Sequence, residues 1–537
     1  MEKKFYLITV YFLLFSKIKS QFYRCGADEM KLKPFEINPT GEEPEKRRLD
    51  DQYTSIKIKV DYTPFKRPSG MSSTTFDKVK SIIEETLKEF QKFLLIKHES
   101  INLAKYLDNI KESCEVDEVS SDYANFLKTN DVVIFPKFEK KNAGVLASAG
   151  FCMTSRKRPI AGSLSINSDL SFNLNNVEMY MKNILLHEIT HILMFHPSLF
   201  QSLGMMSEQN SVYYVSSPKA LEKAKKHFNC HNMNGIPLET QGGEGSAGGH
   251  WEARYMVGDY MISTHYNDNL ISDITLALFE DTGFYKVNYY SGGLFKFGKN
   301  KGCDFLNQKC INNGKILSEE FCGEPTVPKC SSSRLSKGTC RVYDYSGIAT
   351  IPSQYQYFEN PNYGGFMAAN FCPISEYDRG NSDYYPENCK YGTSSLSSNY
   401  GEKMGDNSFC FVSSLSSSGR ESGERAICYE VRCDSSVKRI IVKVGSQEIS
   451  CPNQGGSVSP SGFSGKLTCP KYTDICAFKG NTICNNLYDC LSKKVESDPD
   501  SYEYDPNGED FTILNGSYKK KNYLTLFIPL VFFGLFL

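Results

Sequence analysis

Cysteine distribution is the feature that most restricts how this chain can fold. Fifteen of the 19 cysteines lie between Cys303 and Cys490, where turns rich in serine and glycine separate them. So many thiols would be hard to keep reduced and idle inside a cell, so their number indicates an oxidising compartment. The sequence therefore predicts a C-terminal region over residues 326–510 that is rich in loops and β-structure and is stabilised by disulfides.

Length and charge narrow the class of protein further. A chain of 537 residues is too long for one ordinary domain and predicts two to four. The hydrophobic fraction of 40% is normal for a globular protein. With 61 basic and 62 acidic side chains, the chain lacks the positive charge of a nucleic-acid-binding protein, and that class is excluded. Neither the length nor the composition of the chain indicates its oligomeric state.

The N-terminal 48 residues have the composition of segments that are removed during maturation. Lys3 and Lys4 precede an apolar run over residues 5–15, and Ser20 is a small residue at a suitable cleavage point, which predicts a signal peptide over residues 1–20. Residues 21–48 are polar and end in a basic triplet, and so short a polar segment cannot build a core of its own. We therefore predict a propeptide over residues 21–48.

The C-terminus has the layout of a membrane-attachment signal. An uncharged run over residues 523–537 is shorter than the roughly 20 residues that a membrane-spanning helix needs. Small residues precede it, so residues 515–537 resemble a glycosylphosphatidylinositol (GPI) signal with Asn515 as the attachment residue. A short tail anchor and N-glycosylation of Asn515 are the alternatives. We expect a protein of the secretory pathway that reaches the cell surface on a lipid anchor or is otherwise secreted.

Between these ends, hydrophobic periodicity predicts alternating strands and helices. Residues 53–60 and 131–138 are predicted strands, whereas residues 75–97 and 177–195 carry the apolar stripe of a helix. These elements indicate an α+β domain.

The helix predicted over residues 177–195 contains His187, Glu188 and His191. Residues four positions apart share one face of a helix, so both imidazoles can bind one metal ion. Glu188, one position away, can instead hold a water molecule and act as its general base. A chance match on a core helix is the alternative, but it should be rare in a chain with only 8 histidines. The pattern favours a catalytic zinc site.

A catalytic zinc ion needs a third protein ligand. Of the histidines that follow, His196 is close to the helix end and is predicted to pack or face solvent. His250 follows a glycine-rich run over residues 242–249, which allows the backbone to turn sharply and approach a site built elsewhere. The remaining downstream candidates are His227, His231 and His265.

Residues 245–252, with the sequence GSAGGHWE, resemble the motif with which leishmanolysin-type zinc metallopeptidases supply their third histidine. Other metzincins have that histidine six positions after the second one, where this chain has Pro197. Met261 lies where the family has its Met-turn, the methionine beneath the metal. The resemblance continues through residues 276–285 and covers roughly residues 50–480.

This resemblance implies the fold, the cofactor and the substrates. It implies a metzincin-type catalytic domain over residues 49–325, with a mixed twisted sheet, a long active-site helix, and N- and C-terminal subdomains around a zinc cleft. One Zn²⁺ per chain would be bound by His187, His191 and His250. The substrates would be proteins or peptides.

Two further residues bear on activity. The family has a glycine where this chain has Met194, so either a left-handed residue with a Cβ is strained by about 1 kcal/mol or the helix continues slightly further. Cys25 resembles the family's cysteine switch, in which a propeptide thiol occupies the open zinc position. Its removal would leave an even 18 cysteines, whereas the alternative is an incidental free thiol.

The sequence therefore predicts a zinc-dependent endopeptidase that acts at the cell surface or outside the cell. The alternative is a catalytically impaired surface adhesin or binding protein with the same fold, for which Met194 is the only support. A structural coat protein would explain the cysteines but not the histidines.

Overall fold

A computed structural model describes most of the chain. The described residues are 25–26, 30, 32–37, 53–142, 145–169, 178–240, 248–264, 266, 268–289, 295–376, 387–392, 396, 398–420, 423–434 and 436–476. The predicted signal peptide, the basic processing site and the predicted anchor with Asn515 lie outside these ranges. Within them, no helix combines the length and the apolar character needed to cross a membrane.

The region before residue 310 consists of helices packed on small sheets. Its strands are β1 Phe35–Ile37, β2 Thr54–Ser55, β3 Ile58–Val60, β4 Leu94–Ile96, β5 Val132–Glu139, β6 Ala147–Ser155, β7 Arg158–Asn167, β8 Met206–Gln209, β9 Val212–Val215, β10 Ile236–Pro237 and β11 Tyr285–Val287. Its helices are α1 Ser73–Phe93, α2 Leu107–Cys114, α3 Glu178–Leu193, α4 Pro197–Leu203, α5 Pro218–Phe228, α6 Ala253–Met256, α7 Asp273–Asp281 and α8 Cys303–Asn307. A 3₁₀ turn covers Tyr123–Asn125.

The central sheet has five strands in the order β1-β6-β7-β5-β3. β3, β5 and β7 are parallel, β6 is antiparallel to β7, and β1 is parallel to β6. The sheet is therefore mixed, as predicted. The predicted strand over residues 53–60 is two strands, of which only β3 joins this sheet.

Helix α1 begins where its sequence supplies a cap. The Ser72 hydroxyl accepts a hydrogen bond from the Thr75 N–H at 3.0 Å, which satisfies one of the unpaired donors of the first turn. The helix ends at Phe93, earlier than the predicted residue 97, because Leu94–Ile96 pair with β2 and β11 instead. The apolar stripe continues through this strand, so periodicity alone could not find the boundary.

Helix α3 packs on the sheet through a close contact at β7. A Cβ at Gly162 would overlap the side chain of Ile192, so only glycine allows this approach of helix and strand. Ile189, Ile192 and Leu193 are buried in the main hydrophobic core. The helix is therefore apolar on nearly all sides and is fixed firmly against the sheet.

The segment predicted as a propeptide contributes a strand of its own. Residues 21–48 are too polar to form a separate domain, yet Phe35–Ile37 extend the edge of the central sheet beside β6. Ile37 is 4% exposed and joins an apolar cluster with residues of α2 and β6. Phe35–Ile37 therefore pack on a core that the rest of the chain supplies.

The C-terminal region is a set of short strands linked by disulfides. Its strands are β12 Ile311–Asn312, β13 Lys315–Ile316, β14 Pro328–Cys330, β15 Lys337–Cys340, β16 Tyr343–Asp344, β17 Tyr363–Gly364, β18 Ser375–Glu376, β19 Ser408–Ser413, β20 Arg425–Asp434, β21 Arg439–Val444, β22 Gln447–Ser450, β23 Gly456–Val458 and β24 Leu467–Cys469. A short helix, α9, covers Tyr472–Ile475, and 3₁₀ turns cover Ser353–Tyr355, Met367–Ala369 and Ser398–Tyr400. Six strands form one antiparallel sheet, in the order β22-β21-β20-β19-β24-β23.

Eight disulfides connect the described cysteines, and six of them are in this C-terminal region. The bridges are Cys114–Cys152, Cys230–Cys303, Cys310–Cys372, Cys322–Cys340, Cys330–Cys410, Cys389–Cys428, Cys433–Cys476 and Cys451–Cys469. Cys25 is buried and forms no disulfide with a described cysteine. The Cys310–Cys372 and Cys322–Cys340 bridges link residues on both sides of position 325, so the disulfide-rich part begins near residue 310.

Candidate metal centre

Helix α3 carries the first two histidines of the centre on one face. The Nε2 atoms of His187 and His191 are 3.0 Å apart, as the four-residue spacing requires. Both side chains are buried, with His187 8% exposed. The helix therefore brings two ring nitrogens together without any contribution from a loop.

His250 joins them from a separate segment. It is fully buried, and its ring centroid lies 5.2 Å from that of His187 and 5.0 Å from that of His191. Gly248, two residues earlier, has φ +79°, a conformation that glycine adopts at little cost. Among the candidate third ligands that the structure describes, His250 is the one that this fold brings to the pair.

A hydrogen bond donated by Nδ1 orients each of the three rings. Nδ1 of His187 donates to the Tyr260 carbonyl oxygen at 2.5 Å, and Nδ1 of His191 donates to that of Phe195 at 2.7 Å. Nδ1 of His250 donates to the Glu239 carboxylate at 2.9 Å. Because Nδ1 holds the proton in each neutral ring, Nε2 is left as the metal-binding atom.

Cys25 completes the group. Its Sγ is 3.4 Å from Nε2 of His191, and one potential ligand atom from each of Cys25, His187, His191 and His250 lies within 4.8 Å of the others. The Cys25 N–H donates to the Ser263 carbonyl at 3.0 Å. The cysteine is thus held in place by its backbone as well as by its thiol.

Gly26 allows this close approach of the N-terminal segment. Its N–H donates to the Ala147 carbonyl on β6 at 3.0 Å, and a Cβ there would lie 2.5 Å from a methyl carbon of Val145. Only glycine fits at this position. The backbone at Cys25 and Gly26 therefore bonds to both sides of the cleft.

Glu188 lies beside this group and lines a cavity. The cavity is also lined by Cys25, His187, Asn183 and Asn269. Glu188 is 1% exposed, and this burial raises the pKa of its carboxyl to about 8, while a hydrogen bond from the Cys25 thiol opposes the shift. Burial also lowers the pKa of His187 to about 3, which keeps the ring neutral as metal binding requires.

Met261 is fully buried in the segment that follows His250. Its carbonyl accepts a hydrogen bond from the Trp251 N–H at 2.9 Å, and its own N–H donates to Asp259 at 2.8 Å. Trp251 directly follows His250, so the first bond ties the third histidine to the Met261 segment. The neighbouring Tyr260 hydroxyl is 2.9 Å from the Thr190 hydroxyl on α3.

Met194 directly follows the last residue of α3, and its backbone is not strained. Its N–H donates to the Thr190 carbonyl at 2.8 Å, which continues the helical pattern by one residue, and its φ is not positive. Its side chain is buried. The helix ends at Leu193 and Met194 is not left-handed, so the residue that replaces glycine here causes no backbone strain.

The other histidines that the structure describes serve packing and capping. The His196 ring accepts a hydrogen bond from the Ser198 N–H at the start of α4 and packs against Phe151, with ring centroids 4.9 Å apart. His227 bonds to the Phe297 carbonyl at 2.8 Å. His231 is exposed, and His265 lies outside the described residues.

Glu239 is a residue of the centre that the sequence analysis missed. Its second carboxylate oxygen accepts a hydrogen bond from the Ser263 hydroxyl at 2.5 Å, so the side chain links His250 to the segment after Met261. Glu239 lies 11 positions before His250, and no helix or strand period relates the two. Only the fold could reveal this contact.

The donor set suits a metal ion of intermediate softness. Three imidazole nitrogens and a thiol in a buried, preoriented group are ligands that zinc accepts, whereas calcium and magnesium prefer oxygen. The mixed sheet, the histidine-bearing helix and the third histidine from a later segment together match the metzincin type of fold and site.

The chain belongs to the leishmanolysin family. The family model "Peptidase_M8: Leishmanolysin" matches residues 78–482. A leishmanolysin homolog from Crithidia fasciculata is 27% identical over 374 residues, which is 65% of this chain and 56% of that protein. Leishmanolysin from Leishmania chagasi is 26% identical over 73% of this chain and 70% of its own length. A leishmanolysin-like peptidase from Caenorhabditis elegans is 34% identical over 30% of this chain and 28% of its own length.

Proposed function

We propose that this chain is a zinc endopeptidase that hydrolyses peptide bonds in proteins at the cell surface or outside the cell. The observation that carries the proposal is the buried group of His187, His191 and His250 with Glu188 beside it. When bound, zinc supplies Lewis acidity, which polarises the scissile carbonyl and makes a water molecule acidic at neutral pH. The three Nε2 atoms would hold one ion per chain.

Glu188 would move the proton during hydrolysis. As a general base it accepts a proton from the attacking water, and as a general acid it passes the proton to the departing amine. Its burial next to the histidines places the carboxylate where water is excluded except at the reaction centre. No serine or cysteine nucleophile is needed.

Backbone groups would orient the substrate. The carbonyls of Ser263 and Ala147 accept hydrogen bonds from the N-terminal segment, one on each side of the cleft. The same carbonyls can accept N–H groups of a substrate chain once that segment has left. Met261 and Glu239 would support the histidines from behind without contacting the substrate.

The N-terminal segment would keep the precursor inactive. The Cys25 thiol occupies the side of the histidine group that a substrate carbonyl and water must reach. Cleavage after the basic triplet at residues 46–48 would release residues 21–48 and open the centre. The eight disulfides fit an extracellular enzyme, and attachment through a lipid at Asn515 is the membrane association that we propose.

The test is cleavage of a denatured protein by the processed chain, produced in a secreting eukaryotic host. We expect cleavage that a zinc chelator stops, that added zinc restores and that Glu188→Gln lacks. Absence of cleavage by a chain that contains one zinc ion and has lost Cys25 would instead support the adhesin or binding-protein alternative. Met194 gives no structural support to that alternative, since its backbone is unstrained.

A further inference from the structure

The N-terminal segment follows strand β6 well beyond the metal centre. Gly26 bonds to the Ala147 carbonyl at the start of β6, and Leu32 lies 3.4 Å from the position of a Cβ on Gly150. Phe35–Ile37 then pair with Met153–Ser155 in parallel register. The contact therefore extends over eight residue steps of β6, or roughly 26 Å at the rise of a strand.

The far end of this contact is a built binding surface. Phe35 and Ile37, two positions apart, share one side of the strand and pack on an apolar cluster that includes Ile110 of α2 and Met153 of β6. The Phe35 ring centroid lies 6.0 Å from that of Tyr106. This surface thus recognises apolar side chains at alternating positions.

Polar contacts hold the opposite side of the same strand. The Glu36 carboxylate accepts hydrogen bonds from the Thr154 hydroxyl and from the Lys157 N–H, the latter at 3.1 Å. Main-chain pairing, two apolar positions and one acidic position between them are the elements of strand-addition recognition. A thiol switch at Cys25 needs none of these contacts.

Release of the segment would leave this surface uncovered. The backbone groups of Met153–Ser155 would lose their pairing partner, and the cluster beneath Ile37 would be exposed. An unpaired strand edge beside an apolar patch is a site to which extended chains add.

We infer that, in the processed enzyme, the β6 edge at Met153–Ser155 is a docking site for an extended segment of the protein substrate. The docked segment carries apolar residues at alternating positions, as Phe35 and Ile37 do in the precursor. This inference rests on the proposed peptidase function and adds to it a preference for long, unfolded chains over short peptides. The site lies far enough from the histidines that an octapeptide at the reaction centre does not reach it.

The test uses a synthetic peptide of residues 30–40, which lacks Cys25 and so carries no thiol for the metal. The enzyme is the processed full chain, with loss of residues 21–48 verified by mass spectrometry. Two substrates are compared, an unfolded carboxymethylated protein and a fluorogenic octapeptide. The matched control is the same peptide with Phe35→Asp and Ile37→Asp.

We expect the peptide to raise KM for the unfolded protein about tenfold without changing kcat, and to leave octapeptide cleavage unchanged. The control peptide should have no effect on either substrate. Equal inhibition of both substrates would mean that the peptide acts at the reaction centre, and lack of inhibition would mean that the edge is not a docking site. Either result overturns the inference.

A binding measurement separates this inference from the peptidase proposal. If the octapeptide is not cleaved at all, the proposed activity has failed, but fluorescence anisotropy can still follow the labelled peptide on the processed chain. Saturable binding that the unfolded protein displaces supports the docking site. Absence of binding, or binding that the unfolded protein does not displace, contradicts it.

Discussion

The two parts of the chain obtain their structure in different ways. Before residue 310, two disulfides accompany long helices packed on sheets, and the main hydrophobic core continues from this part into the next. After it, six disulfides hold short strands together, and one small core cluster is formed by Cys389, Cys410 and Cys428. The first part can place side chains with the accuracy that a metal centre needs because long elements hold them. In the second part, covalent links add to the apolar burial that its short strands supply.

The largest effect is expected from Glu188, and a buried glutamate on the other side of this division is its control. Glu188→Gln should lower kcat by about 10³-fold, because the amide cannot accept the proton, while zinc content and Tm stay near those of the unmodified chain. Glu320 is also buried, and its carboxylate accepts a hydrogen bond from the Gly298 N–H at 3.2 Å.

Glu320→Gln should retain full activity, which makes it the matched control. Kinetics on a peptide substrate and metal analysis measure both variants. Similar losses of kcat in the two variants would indicate that the chemistry is not confined to the histidine helix.

The second comparison removes one disulfide from each part. Cys114–Cys152 and Cys389–Cys428 close loops of 38 and 39 residues, so chain entropy alone predicts an equal loss of about 4 kcal/mol from each pair of alanine substitutions. We expect the loss to be larger for Cys389–Cys428, because the buried members of its cluster are all cysteines, whereas Cys114 and Cys152 lie in a cluster that also contains buried apolar side chains. Hydrogen exchange of amides near each bridge measures the loss in the free energy of unfolding of that part. Equal losses would mean that the two parts depend on their disulfides to the same extent.

Support of the metal by Glu239 gives a smaller effect. Glu239→Gln should weaken zinc binding by about 10- to 100-fold, because the neutral amide holds the Nδ1 proton of His250 less strongly. Competition with a chromogenic chelator measures the affinity without relying on activity. Glu252→Gln is the control, since Glu252 is equally buried but bonds to the Arg254 N–H rather than to a histidine. An unchanged affinity in Glu239→Gln would show that the loop alone positions His250.

The smallest effect concerns Asp268, where serines of the disulfide-rich part contact the first part. Burial raises the pKa of its carboxyl from 3.8 to about 6, while the nearby hydroxyls of Ser331 and Ser336 oppose the shift. Between pH 4 and pH 6 the folded chain keeps this proton and the unfolded chain releases it, so stability falls as pH rises.

Asp268→Asn cannot lose this proton. The Tm of the unmodified chain should therefore fall by a few degrees relative to Asp268→Asn between pH 4 and pH 6, and the difference should stay constant above pH 6. Thermal melts at several pH values measure it. Parallel curves throughout that range would contradict the assignment.

Local patterns predicted much of the fold because they reflect local physics. Ser72 and Ser272 cap helices through their own hydroxyls, with the Ser272 bond to the Thr275 N–H at 3.1 Å. The predicted helix over residues 177–195 corresponds to Glu178–Leu193. The end of α1 was missed, because only strand pairing distinguishes Leu94–Ile96 from another helical turn.

The sequence by itself determined the four-residue spacing of His187 and His191, which places both side chains on the same face of any helix. It also determined the number of cysteines and hence the need for an oxidising compartment. Only the tertiary structure decided that Glu239 lies behind His250, that Cys25 reaches the histidines and that Phe35–Ile37 complete the central sheet. The reason is that these contacts join residues far apart in the chain, and helix and strand periods carry no information about such pairs.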